Sequence, residues 1–74
     1  MENQHEKIKG YRDLSQEEID LMNEVKNIGQ ALGDLVGKLR ENKTLDQRWV
    51  SIGATDFQTG IMALVRSIAR PASF

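Results

Sequence analysis

The sequence predicts an all-α protein, an antiparallel two-helix hairpin with an N-terminal arm that assembles into a compact helical homo-oligomer. Three observations carry this. Two stretches place apolar residues at alternating steps of four and three, the spacing of a packed helix seam. A short polar link with its own cap candidates separates them. Both stretches also hold more apolar residues than one seam can cover, and large uncovered apolar faces mark an interface. The 74 residues are read as a single helical-hairpin domain, with the arm at 1–14, helix one at about 15–41 and helix two at about 46–70.

The arm is polar, contains Gly10 and lacks periodicity, with a short helical turn expected at Gln4–Lys9. Helix one opens at Ser15-Gln-Glu-Glu18. Ser15 is placed to cap free backbone N–H groups, and Glu18 to reach back from the third helical position. Glu17, Glu18 and Asp20 set negative charge on the positive end of the helix dipole. Leu21, Val25, Ile28, Leu32, Leu35 and Leu39 form the expected seam, and Lys38 and Arg40 suit the negative end.

Glu41-Asn-Lys-Thr-Leu-Asp46 reads as the link, with Thr44 or Asp46 as the second cap. Helix two then carries Val50, Ala54, Phe57, Ile61, Leu64 and Ile68 as its seam, and Pro71 lies where a helix ends. Ile19, Met22 and Val36 on helix one stay off the seam, as do Trp49, Ile52, Met62, Ala63 and Val65 on helix two. A two-helix monomer has no second layer to cover them. A chain this short buries only about 60% of its unfolded surface, so stacking of hairpins into an obligate oligomer is expected. Gly29, Gly33 and Gly37 line one stripe of helix one. Each costs about 1 kcal/mol of helix stability relative to alanine. Such a stripe admits close approach, either by another helix of the oligomer or by a ligand.

Composition excludes several classes. The formal net charge of −1 argues against bulk attraction to DNA or to an anionic membrane, while leaving room for a local basic pocket. There is no cysteine, so disulfides and thiolate-held zinc are excluded. The chain opens without an apolar signal region and fits a reducing cytosol, so a cytoplasmic location is expected. His5 is the only histidine, and no His/Cys/carboxylate spacing resembles a metal site. No Ser–His or Cys–His arrangement supports nucleophilic catalysis, and no Gly-rich phosphate loop links a strand to a helix. No enzyme activity and no cofactor are expected.

The segment from Gly10 to Lys26 is the most informative. Tyr11, the only tyrosine, precedes the cap and either packs on the helix start or stacks on a base, a contact worth about 1–3 kcal/mol. Lys26 follows a seam residue and so points to the flank, as a solvated charge or as a phosphate ligand. Arg66 and Arg70 are four apart on helix two, suited either to the helix dipole or to a two-pronged phosphate clamp. Trp49 reads as an interface or core anchor rather than a base stacker.

Two ordered motifs carry a resemblance over nearly the whole chain. Lys7-Ile-Lys-Gly-Tyr-Arg-Asp-Leu-Ser-Gln-Glu-Glu-Ile-Asp-Leu-Met-Asn at 7–23, with His5 before it and Lys26 after it, resembles the first half of the phage anti-CBASS cyclic-oligonucleotide sponges. Arg48-Trp-Val-Ser-Ile-Gly-Ala-Thr-Asp-Phe-Gln-Thr-Gly-Ile-Met-Ala-Leu-Val-Arg-Ser-Ile-Ala-Arg-Pro at 48–71 is similar to the family's second stretch, a hairpin shared with the anti-Thoeris sponges. Ile61 departs from the pattern, which has phenylalanine there.

The resemblance implies a homo-oligomer, typically a hexamer. It implies binding of cyclic dinucleotides between protomers, cyclic trinucleotides at separate sites, and sequestration without cleavage. By position, Tyr11 would stack on a base, Lys26 would contact a phosphate, and Arg12 and Asp13 would touch base edges. Arg66 with Gly29 and Gly33 would form the trinucleotide site. Competing with this are a structural or adaptor hairpin that binds a protein partner through its apolar face, and an enzyme that degrades the signal.

Overall fold

The computed structural model describes residues 13–73. Over these the chain is all-helical, with α1 at Gln16–Glu41 and α2 at Gln47–Ala69 joined by a short link. His5, the turn expected at Gln4–Lys9, Tyr11 and Arg12 lie outside the described residues.

Local chemistry fixes both helix starts. At α1 the capping box forms: Ser15 Oγ accepts from the Glu18 N–H at 3.2 Å, and Glu18 Oε1 accepts from the Ser15 N–H at 2.8 Å. At α2 Asp46, rather than Thr44, is the cap, its Oδ1 accepting from the N–H groups of Arg48 at 3.1 Å and Trp49 at 3.4 Å. The Thr44 hydroxyl instead donates to Asn42 Oδ1 within the link. The carbonyls at the end of α1 also need partners. Gln47 supplies them, its Nε2 donating to Leu39 O at 3.1 Å and Asn42 O at 3.0 Å, and Lys43 Nζ donates to Arg40 O. The end of α2 is unusual. Arg70 caps it in left-handed backbone, at φ 45° and ψ 59°, the only such non-glycine residue among those described. That conformation costs a residue with a Cβ about 1–2 kcal/mol.

Three contacts set an antiparallel register. The Arg70 guanidinium pairs with Glu18 at the open end, Ile61 packs against Gly29 midway, and Arg40 Nη1 donates to Ser51 Oγ near the link. The seam on α1 differs from the expectation by half. Val25, Leu32 and Leu39 face α2, but Leu21, Ile28 and Leu35 are exposed at 45%, 55% and 46%, and the inward column is Met22, Gly29 and Val36. On α2, Val50, Ala54, Ile61 and Ile68 are sheltered as expected, whereas Phe57 and Leu64 are exposed and Val65 is the sheltered residue. The glycine explains the choice. A Cβ placed at Gly29 would stand 3.5 Å from the Ile61 side chain, in ordinary contact, so this glycine lies directly beneath α2. A column of leucines at that place would hold the helices apart.

One seam is all the hairpin has. No described residue is fully buried, and Trp49, Met62 and Leu64 are more than half exposed. Trp49 is therefore no anchor of the hairpin's own core. It lies outside, with the Arg48 guanidinium 5.7 Å from its ring centre. No described helix is long and apolar enough to cross a membrane.

The Asp46 cap holds the start of α2 alone, with no acidic residue in that first turn to replace it. Asp46→Ala is expected to lower stability by about 1 kcal/mol, read as a shifted circular-dichroism melt at 222 nm. An unchanged melt would show that the link, not the cap, sets the start.

Candidate functional site

The helical period turns Lys26, Gln30, Gly33 and Arg40 to the same flank of α1, beside the seam. Opposite them α2 presents Gln58 and Met62. Between the two rows runs an open groove of about 820 Å³. Its floor is apolar and nearly free of side chain at Gly29 and Gly33, and is completed by Phe57 and Ile61. The three glycines thus divide. Gly29 admits α2, while Gly33 and Gly37 have nothing within 4 Å of a notional Cβ and leave space open.

Lys26 and Arg40 are the cations of this groove, separated by about 21 Å along the axis at 1.5 Å per residue. Amide side chains of Gln30 and Gln58 line it between them. A flat apolar floor favours planar rings, amides read hydrogen-bonding edges, and fixed cations favour phosphate oxygens. A second hollow of about 410 Å³ on α1 is walled by Glu17, Asp20 and Glu24 with Asn23 and Asn27. Its carboxylates repel anions, so an anionic ligand is directed to the Lys26 groove.

The sequence-predicted residues fall in different places. Lys26, Gly29 and Gly33 come together in the groove. Asp13 is exposed just ahead of the Ser15 cap, and Tyr11 and Arg12 lie outside the described residues. Arg66 does not line the groove. It stands four residues beyond Met62, one turn further along that face, with its Nη2 donating to Ser73 O at 3.3 Å. The two-pronged Arg66–Arg70 clamp does not form. Arg70 is already past the helix and its guanidinium is engaged 3.2 Å from Glu18 Oε2. Arg40, Gln30 and Gln58 were not among the expected site residues. Arg40 had a signal, because it lies nearly four full turns after Lys26 and so shares its face. Among the described residues no group of three His, Cys, Asp or Glu side chains is placed to hold a metal ion.

Comparison with known proteins gives two findings. Residues 4–69 match the family described as Acb2/Tad1, hairpin domain. The chain is also 38% identical over 105 aligned positions to Anti-CBASS protein 2 of Pseudomonas phage JBD67, a match that covers 96% of this chain and 97% of that protein.

The open space at Gly33 yields a direct test. Gly33→Ala is expected to raise the melting temperature of the ligand-free protein, by about 1 kcal/mol of helix propensity. A lowered melt would place a neighbouring subunit against this glycine.

Proposed function

The chain belongs to the Acb2/Tad1 hairpin-domain family, and on that footing we propose that it binds and sequesters cyclic oligonucleotide second messengers without cleaving them, thereby blocking CBASS anti-phage immunity in the host bacterial cytosol. The ligands are cyclic dinucleotides such as cyclic GMP–AMP, with cyclic trinucleotides at a second site. The observation that carries this is Lys26 beside the glycine floor, on a hairpin whose outer apolar residues remain uncovered.

Charge and symmetry support the reading. Each phosphodiester carries one negative charge, and the chain as a whole is close to neutral, so affinity must come from placed cations rather than bulk field. A cyclic dinucleotide is close to two-fold symmetric, and a two-fold interface brings the same patch of each subunit to both of its halves. Two Tyr11 rings then sandwich the bases, two Lys26 side chains meet the phosphates, and Arg12 and Asp13 contact base edges. One chain supplies half of such a site, so assembly creates it. For a trinucleotide, Gly29 and Gly33 give the wall, and Arg66 reaches the ligand from beyond the groove's end.

The same assembly covers the outer apolar residues. Leu21, Ile28 and Leu35 recur every seven residues and form a column on the side of α1 away from Lys26. Leu64 is exposed on α2. Burying residues of this size contributes about 1.5–3 kcal/mol each, which is what a hairpin without a closed core lacks. A closed hexamer is the expected state.

Three substitutions test this on the full chain. Tyr11→Ala is expected to abolish binding of 3′,3′-cyclic GMP–AMP while the mass by light scattering stays that of the oligomer; unchanged affinity would contradict the assignment. Lys26→Ala is expected to weaken binding about 10- to 100-fold, the loss of a hydrogen bond to a charged group. Ile28→Lys is expected to split the assembly and abolish binding with it. A protein that is monomeric or dimeric before substitution and takes up no nucleotide would favour the protein-adaptor reading instead.

A further inference from the structure

The function proposed above engages Lys26, toward one end of the groove, and leaves Arg40 without a role. Arg40 lies about 21 Å further along the axis, near the link. One nucleotide does not span that distance. At the link end the groove gathers three chemistries, a guanidinium, an aromatic ring and an amide, from Arg40, Phe57 and Gln58.

Arg40 is held but not neutralised. Its Nη1 donates to Ser51 Oγ at 3.3 Å, which ties the guanidinium to α2 and leaves further N–H donors of the planar fork. Among the described residues no carboxylate pairs with it, and none lines the groove. The negative end of the α1 dipole does not require it either, because Lys38 serves there without lining the groove. Phe57 is 46% exposed beside the seam. Gln58 has no hydrogen-bond partner among the described residues.

The register brings these groups together. Gly29 stands across from Ile61, so in antiparallel helices Gly33 stands across from Phe57. Arg40 meets Ser51, and Phe57 lies six residues beyond that serine, about 9 Å along α2. Helical side chains lean toward the N-terminus of their own helix. On antiparallel helices that lean carries Arg40 and Phe57 toward each other. Gly33 has nothing within 4 Å of a notional Cβ, so the space between its backbone and the ring is open.

We propose that the link end of the groove is a site for one adenine nucleotide, with the base on the Phe57 ring, its edge on Gln58 and its phosphate on Arg40. An aromatic face stacks any base, and a guanidinium fork fits phosphate oxygens. The amide supplies the choice of base. It presents a donor beside an acceptor, the pair that matches N7 and N6 of adenine, whereas guanine offers two acceptors at the same edge. The site needs neither Lys26, nor Tyr11, nor a second subunit, so it stands apart from the function proposed above.

The full-length protein is titrated with AMP, GMP and ribose 5-phosphate, by calorimetry and by amide NMR. Saturable shifts are expected at Gly33, Arg40, Phe57 and Gln58, with AMP bound about tenfold more tightly than GMP and ribose 5-phosphate weakest. Phe57→Leu, which keeps an apolar side chain and deletes the aromatic face, is expected to weaken AMP binding about tenfold with melt and mass unchanged. Binding by that variant within about twofold of the parent overturns the proposal. Should Phe57→Leu melt lower or change mass, Gln58→Ala carries the test, since Gln58 has no partner to lose: the preference for AMP over GMP is expected to vanish, and its persistence overturns the proposal. Equal binding of AMP and ribose 5-phosphate overturns it as well, reducing the site to an anion contact. Shifts centred on Lys26 do the same, as does the absence of any saturable shift, the result expected if a second copy covers this end.

Discussion

Two helices share one line of contact, and a single line cannot enclose a core. That constraint governs the rest of this protein. Every apolar side chain of α1 and α2 faces the seam or faces outward, and none of those described is removed from solvent altogether. The Ile61 side chain lies directly over Gly29 in the seam. This choice of seam decides which residues are left outside: the leucine and isoleucine column of α1, with Phe57 and Leu64 of α2. In the assembly proposed above stability and site would share one origin, because a second copy covering those residues would bring a second groove beside the first.

Much of this is legible in the sequence, for physical reasons. The caps were readable because their chemistry is local: Ser15 with Glu18, and Asp46 ahead of Arg48 and Trp49, use partners within three residues. The seam was only half readable. The pairs Leu21/Val25 and Met22/Val25 both satisfy the alternating spacing, and so do their repeats along α1. They share the column Val25, Leu32 and Leu39 and differ in the other. Ranking by hydrophobicity favours Leu21, Ile28 and Leu35, but packing favours the column that contains a glycine, since backbones approach there and dispersion contacts multiply. Hydrophobic pattern alone does not distinguish a face that meets its own hairpin from one that meets another.

The candidate site divides along the same lines. Lys26, Gly29 and Gly33 were readable together because helical period places them together, and the same period would have added Arg40. Of the two readings of Arg66 and Arg70, helix dipole or phosphate clamp, the clamp assumes a continuous helix. The backbone turns left-handed at Arg70, and the two guanidiniums go to Ser73 and Glu18. No periodicity announces such a break, and Glu18 lies 52 residues away in sequence. The family resemblance implies what spacing does not, namely a class of ligand proposed for a groove with an apolar floor, amide edges and separated cations.

The central claim is that the groove, doubled by assembly, holds an intact signalling nucleotide. Titration calorimetry of the unmodified protein with 3′,3′-cyclic GMP–AMP, followed by heat release and chromatography of the ligand, tests it most directly. The account predicts tight binding near one ligand per two chains, with the nucleotide recovered unchanged. Recovery of cleaved product, or the absence of binding to cyclic dinucleotides and trinucleotides of every linkage tried, would contradict it.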